Sequence, residues 1–287
     1  MQSVSIRSFA GSTVIITGAS SGIGWEFARQ LAPVASNIIL VARRIDRLET
    51  LASELRSINP RLELFKRALD LRNHVDLERF CDWLDESDWT IDLLINNAGV
   101  GDHGAFVGSE WERVSSMLRV NVSALTYLTL RILRKMKKAG RGAILNVSSV
   151  AGLLPVPNSA VYAATKAYVN SFSEAIRAEL RTYKISVAAL CPGPVDTEFL
   201  SRATRGAAEQ KHTAPDFLIV SVREVVQKAL KAVSHDRPEV IPGVAVSLVM
   251  RSLASLPMFI KRLLYKAQVK HRPHLVPSDL LPSSPES

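Results

Sequence analysis

Thr13-Val-Ile-Ile-Thr17, running directly into Gly18-Ala-Ser-Ser-Gly-Ile-Gly24, decides how this chain folds. The first five residues are all β-branched, the signature of a strand buried on both faces. Residues 22–32 then carry helical periodicity, so the glycines form a tight turn between strand and helix. In that setting Gly18, Gly22 and Gly24 let the backbone approach a pyrophosphate at a helix N-terminus. A purely structural turn is the competing reading of the same residues.

Outward from this turn the pattern repeats. Thr13–Thr17, Asn37–Ala42, 62–66, 91–95, Gly142–Val147 and 184–190 read as strands rich in Ile, Val and Leu. Residues 22–32, 45–57, 72–87, 109–138 and 160–182 read as helices, with Gly140 and Gly142 closing the fourth. Residues 221–234 resume a helix, and 238–241 supply a seventh, edge strand. Right-handed crossovers between these elements predict an α/β, doubly wound, mainly parallel sheet with helices on both faces. With 287 residues, 47% of them hydrophobic, one such domain over 1–242 accounts for the chain's bulk. No repeat at solenoid spacing is visible.

The segment 192–220 is rich in Pro, Thr, Ala and charge and is expected to form a mobile substrate loop or lid. Residues 243–272 form a C-terminal extension. Its apolar stretch 244–260 is interrupted by Arg251 and Pro257 and leads into the basic run 261–272. A spanning helix needs about 20 apolar residues, so the alternatives are an interfacial helix, burial against the chain's own pocket, or contact with a partner subunit. Residues 273–287, rich in Pro and Ser, are expected to be disordered.

Composition excludes several classes. Two cysteines, Cys81 and Cys191, lie far apart with neither metal nor redox spacing, which argues for a reducing compartment, no disulfide framework and no metal. The net charge of +9 is scattered over helix faces. Its two concentrations, 131–138 and 261–272, are not interleaved with stacking aromatics, so a nucleic-acid platform is not expected. Residues 1–12 lack the apolar core of a secretory leader. A cytoplasmic enzyme is the expectation, with peripheral membrane contact through 244–272 as a variant of it.

Cofactor chemistry follows from the end of the second strand. A site for NAD places a carboxylate there to hold the ribose hydroxyls. This chain has Ala42, Arg43 and Arg44 instead, which suits the 2′-phosphate of NADP(H). Arg43 is the expected reader of that phosphate, and Arg44 could equally be a solvated helix-start residue. At the other end, Tyr162 and Lys166 share a helix face at four-residue spacing. A nearby ammonium is expected to lower the phenol pKa and make Tyr162 a proton donor to a carbonyl or acceptor from an alcohol. Ser149, at the carboxyl end of the fifth strand, could hold the substrate oxygen.

These motifs together resemble the short-chain dehydrogenase/reductase family. The matching residues are Thr17–Gly24, Asn96-Asn-Ala-Gly99, Asn121, Ser149, Tyr162-x-x-x-Lys166 and Pro192-Gly193, spread over 13 to about 200. The resemblance implies a Rossmann-type seven-stranded sheet and an NADP(H)-preferring oxidoreductase. It assigns the catalytic set to Asn121, Ser149, Tyr162 and Lys166, with Asn121 keeping a water that links Lys166 to solvent. It assigns cofactor contacts to Gly18, Ser20, Ser21, Gly22, Ile23, Gly24, Arg43, Tyr162 and Lys166, the lysine holding the nicotinamide ribose. Asp70 and Leu71 would flank the adenine, Asn97, Ala98 and Gly99 the ribose side, and Pro192, Gly193, Val195 and Thr197 the nicotinamide. Asn96–Gly99 could instead mainly stabilise the sheet, Asn121 could cap a kink, Asp70 could begin a helix, and His103 reads as an exposed loop residue. Members commonly pair through the helices at 109–138 and 160–182, which implies a homodimer or homotetramer.

Candidate pocket walls are 100–107, 153–158 and the loop after Pro194, with Phe199, Leu200 and Phe217 folding over them. This apolar lining suits a lipophilic ketone or aldehyde and its alcohol. A binding protein that kept the fold but lost the chemistry is the alternative. An epimerase or dehydratase acting on sugar nucleotides fits poorly with the glycine spacing.

Overall fold

The computed structural model describes residues 8–205, 215 and 218–263. Its strands are β1 (Thr13–Thr17), β2 (Asn37–Ala42), β3 (Glu63–Ala68), β4 (Leu93–Asn96), β5 (Gly142–Val147), β6 (Ile185–Leu190) and β7 (Glu239–Val240). All pair in parallel, in the order β3-β2-β1-β4-β5-β6-β7. The chain winds outward from β1 to β3, then returns to β4 and winds the other way. That reversal opens a crevice at the carboxyl ends of β1 and β4, where ligands bind in such sheets.

The helices are α1 (Gly22–Leu31), α2 (Ile45–Ile58), α3 (His74–Glu86), α4 (Trp111–Met117), α5 (Leu125–Ala139), α6 (Ala160–Leu180), α7 (Glu198–Ala203), α8 (Val222–Ser234) and α9 (Val244–Ser255). Alternation along each strand feeds two cores. Val14 and Ile16 pack with Phe27, Leu31, Leu51, Leu55 and Leu230 from α1, α2 and α8. Ile15 faces the other way, among Leu77, Leu84, Leu128, Ile132 and Met136 from α3 and α5. Each fully buried Leu or Ile contributes roughly 1.5–3 kcal/mol over its exposed state, so the sheet is anchored from both sides.

Three details depart from expectation. The helix anticipated over 109–138 is α4 and α5 joined by a π-helical turn, Leu118–Ala124. Gly140 does cap α5 in the left-handed conformation (φ +67°), whereas Gly142 opens β5 instead of closing the helix. His103 is half-buried: its N–H donates to the Ala203 carbonyl at 2.8 Å and its Nδ1 lies 3.0 Å from Ser159 Oγ.

The extension packs back on the domain through α9. Val246 is buried, and a Cβ placed on Gly193 would lie 3.0 Å from its Cγ1. Val244, Leu248 and Val249 on the same helix remain exposed. Helix resumes at 258–263, past Pro257. No helix among the described residues is long and apolar enough to cross a membrane. Phe217, the basic run beyond 263 and the Pro- and Ser-rich tail lie outside the described residues.

Candidate active site

The glycine turn is set by close contacts. Gly18 takes φ +67°, and a Cβ on it would lie 2.8 Å from Asn97 Nδ2 and 2.9 Å from Ala98 Cα. At Gly24 a Cβ would come within 2.3 Å of the Gly18 carbonyl oxygen, so only glycine lets α1 pack this tightly on the turn. Asn97 Nδ2 donates to the carbonyls of Thr17 (2.9 Å) and Gly18 (3.2 Å). Thr17 Oγ1 in turn accepts from the Asn97 and Ala98 amides, both at 3.0 Å.

Asn96 points elsewhere: its Nδ2 donates to Thr129 Oγ1 and Asn146 Oδ1, both at 2.9 Å, in the buried interior. One asparagine therefore braces the sheet while its neighbour shapes the crevice.

The N-terminus of α1 is suited to an anion. Ser21 precedes it in an extended conformation and makes no capping bond, unlike Asn73, which accepts from Val75 and Asp76 at the start of α3. Free amides at an uncapped helix N-terminus beside a glycine turn match a dinucleotide pyrophosphate. Thr197 overhangs this turn, since a Cβ on Gly22 would lie 3.1 Å from its Cγ2. Val195 is buried, and the Pro192 carbonyl accepts from the Val150 amide at 3.0 Å, joining that segment to the end of β5. Leu71 lines a small hollow with Thr17, Ala98 and Val120. Asp70 does not begin α3. Its carboxylate is clamped by Arg72 at 2.6–3.1 Å, a bond that holds it below the usual carboxylate range.

Arg43 stands exposed at the end of β2. The structure brings Arg44 into the cofactor corner, away from a purely solvated role, and adds Arg47, which the sequence did not single out. Arg44 Nη2 donates to Ser20 Oγ at 3.2 Å and to Glu198 at 3.2 Å, and Arg47 Nε reaches the Ser20 carbonyl at 3.4 Å. Their i, i+3 spacing at the start of α2 was the available signal, because it puts both on one face.

On the opposite wall, Ser149 follows β5 by two residues in an extended conformation, and its Oγ accepts from the Ala151 amide at 3.1 Å. The short turn Val150–Leu153 presses onto α6: a Cβ on Gly152 would lie 2.6 Å from the Lys166 carbonyl carbon. That contact brings Ser149 beside Tyr162 and Lys166, one helical turn apart on α6. Lys166 Nζ is buried, donates to the Val147 carbonyl at 2.8 Å, and lies 5.8 Å from the Tyr162 ring centroid. Asn121 sits in the π-turn, 1% exposed. Its Oδ1 accepts from the Val100 amide at 2.9 Å, while its Nδ2 donates to the Val100 carbonyl and to Thr165 Oγ1. Asn121 Oδ1 and Lys166 Nζ both border Gly99, at 3.5 and 3.4 Å from a Cβ placed there.

Burial dominates the electrostatics. It pushes Tyr162 up to about 12, an effect partly offset by the Ser149 hydroxyl. It pushes Lys166 down to about 8. The lowering of the phenol expected from the ammonium does not emerge here: burial is the largest influence on Tyr162, whose ring centroid lies 5.8 Å from Lys166 Nζ. At neutral pH the phenol keeps its proton and can give it away.

A sequence profile described as short chain dehydrogenase matches residues 12–208. The chain belongs to the short-chain dehydrogenase family. It is 36% identical over 190 residues to a very-long-chain 3-oxoacyl-CoA reductase of Coccidioides immitis, covering 64% of this chain and about half (54%) of that relative. It is 35% identical to sulfoacetaldehyde reductase 2 of Chromohalobacter salexigens over 67% of this chain and 76% of the relative. A short-chain dehydrogenase from Sphingobium yanoikuyae, solved in complex with NADPH, superposes with a TM-score of 0.76 at 32% identity, covering 89% of this chain and 95% of the other. This dehydrogenase is therefore an oxidoreductase of the NAD(P)(H)-using kind, with the seven-stranded sheet of its structural neighbours.

Proposed function

We propose that this dehydrogenase uses NADPH to reduce a lipophilic ketone or aldehyde to its alcohol. The observation that carries the reading is the convergence of Ser149, Tyr162 and buried Lys166 on a crevice whose far side is the glycine turn and its uncapped helix. Ser20, Arg43 and Arg44 would hold a 2′-phosphate, the α1 amides the pyrophosphate, and Asn97–Gly99 with Pro192–Thr197 the nicotinamide half. NADPH supplies the hydride when bound.

The remaining work falls to the protein. Ser149 Oγ orients the carbonyl oxygen, and the protonated phenol of Tyr162 donates to that oxygen as negative charge develops on it. Lys166 stabilises the phenolate left behind, and Asn121, across Gly99 from the ammonium, lies where a water could return the proton from solvent. NADPH as the cofactor supports reduction as the working direction, because it usually serves as the hydride donor.

Substrate class is argued from the walls. Phe199 lies 5.6 Å from Tyr162, ring centroid to centroid, and its Cζ would touch a Cβ on Gly101 at 2.8 Å. Leu153 and Leu154 follow Ser149, and Phe106 and Val107 are exposed at the rim. The relatives' named substrates include both a long acyl chain and a small sulfonate, so it is this apolar lining that supports a lipophilic substrate. Exposed Trp111, Leu118 and Leu130 support pairing into a dimer or tetramer through α4–α6. Exposed Leu248, Phe259 and Leu263 support contact of the extension with a membrane or a second subunit.

The test is NADPH oxidation against a panel of ketones and aldehydes with wild type and Tyr162→Phe. Removing the proton donor should lower kcat by about 10²–10⁴-fold while NADPH affinity holds. Tight NADPH binding with no turnover across the panel, or a variant within a few-fold of wild type, would overturn the reading.

A further inference from the structure

We propose that Glu198, the first residue of α7, sets how strongly the enzyme prefers a cofactor carrying a 2′-phosphate, by occupying the arginines that would meet that phosphate. The proposal rests on the NADP(H) reading above and concerns the same corner of the crevice.

Glu198 is gripped from two sides. Its Oε2 accepts from Arg44 Nη2 at 3.2 Å and from Arg202 Nη2 at 2.6 Å, and its Oε1 lies 3.7 Å from Arg47 Nη2. The Arg44 nitrogen that holds it also donates to Ser20 Oγ. One guanidinium edge is thus shared between the glycine turn and a carboxylate from the segment following Pro192–Thr197. Thr197 caps the same helix, with its Oγ1 accepting from the Phe199 amide at 3.4 Å. Arg43 stands beside this cluster, exposed.

A phosphate monoester seeks the same donors as a carboxylate and carries more charge. On reaching Ser20 and Arg44 it must displace Glu198 or lie beside it, and either is a penalty that falls only on ligands bearing the 2′-phosphate. A cofactor with a free 2′-hydroxyl does not meet that repulsion and leaves the Glu198 contacts in place. Glu198 therefore moderates the preference that Arg43 and Arg44 create, and couples the occupant of the adenosine end to the start of α7. The carboxylate side chain is 41% exposed, so the effect is that of a screened pair, a few-fold in affinity.

The experiment is calorimetric titration of wild type and Glu198→Gln with 2′,5′-ADP and with 5′-AMP, which differ only in the 2′-phosphate. Glu198→Gln should bind 2′,5′-ADP about three- to fivefold more tightly, with 5′-AMP changed by less than twofold. The ratio of the two affinities is read within each protein, so a general loss of folded material cancels. If wild type prefers 2′,5′-ADP and the variant shows the same ratio, the NADP(H) reading stands and Glu198 has no part in it. If neither protein distinguishes the two probes, the NADP(H) reading falls and the proposal with it.

Discussion

Helix α7 is tied to the rest of the protein at both ends by arginine–carboxylate bonds, and the two ties differ in setting. At the first residue of the helix, the Glu198 side chain is 41% exposed and Arg44 31%, and the carboxylate is shared among three guanidinium groups. After the helix, Arg205 meets the Asp102 side chain, which is only 4% exposed. Arg205 Nε donates to Asp102 Oδ1 at 2.9 Å, and the same side chain reaches the carbonyls of Ala105 and Gly108 and Ser109 Oγ. Arg113 adds a second bond to Asp102 at 3.2 Å. The buried tie has every polar group of the carboxylate occupied and fixes the loop 101–109 against α7. The exposed tie trades partners with solvent at little cost. Helix α7, whose Phe199 ring centroid lies 5.6 Å from that of Tyr162, is anchored firmly at one end and adjustably at the other.

The contrast makes the largest stability prediction. Asp102→Ala leaves Arg205 and Arg113 facing an unpaired, partly buried site and should lower unfolding free energy by about 3 kcal/mol. Glu198→Ala should cost under about 1 kcal/mol. Denaturant unfolding of both variants checks the pair, and equal losses would erase the distinction. The sign of the pH dependence follows from the Arg205 bond, which lowers the Asp102 pKa. Its contribution is complete above about pH 4, the ordinary aspartate value, and is lost as pH falls through the depressed folded value. Asp102→Asn should therefore lack that acid-range loss.

Burial also governs the lysine of the site. Lys166, pushed down to about 8, loses its proton above that pH, so kcat/KM for carbonyl reduction should be flat below it. Above it, kcat/KM should fall about tenfold per pH unit. Lys166→Arg, charged throughout, should move the fall to higher pH whatever its absolute rate. A wild-type profile level to pH 10 would contradict the assignment. A specificity effect is expected at Phe199: Phe199→Ala should shift the kcat/KM ratio of bulky to small ketones by about tenfold, with NADPH affinity unchanged. An unchanged ratio would mean that Phe199 is no part of the substrate wall.

These ties also mark where the sequence stops being readable. The strand–glycine–helix unit, the alternation of strands and helices and the Tyr162–Lys166 spacing follow local rules of periodicity and close approach, and the strands match them to within two or three residues at each end. Asp102 and Arg205 are 103 positions apart, and no pattern in either neighbourhood announces the other. The pKa of Lys166 depends on how much protein surrounds it, a property of packing and not of its neighbours in sequence. Arg44 and Arg47 were visible as charges, but only the turn of α2 shows that they face Ser20. The break within 109–138 was hidden because apolar periodicity continues almost unchanged through a turn widened by one residue.

That widened turn makes the site sensitive to chain length in a way that substitution would not reveal. Successive residues of an α-helix are rotated by about 100°, so removing one residue from Leu118–Ala124 would let α4 and α5 merge into an uninterrupted helix. Everything on one side of the cut would then swing around the axis relative to the other. Asn121 would leave Val100, or Trp111 would leave its surface, with every amino acid still present but one.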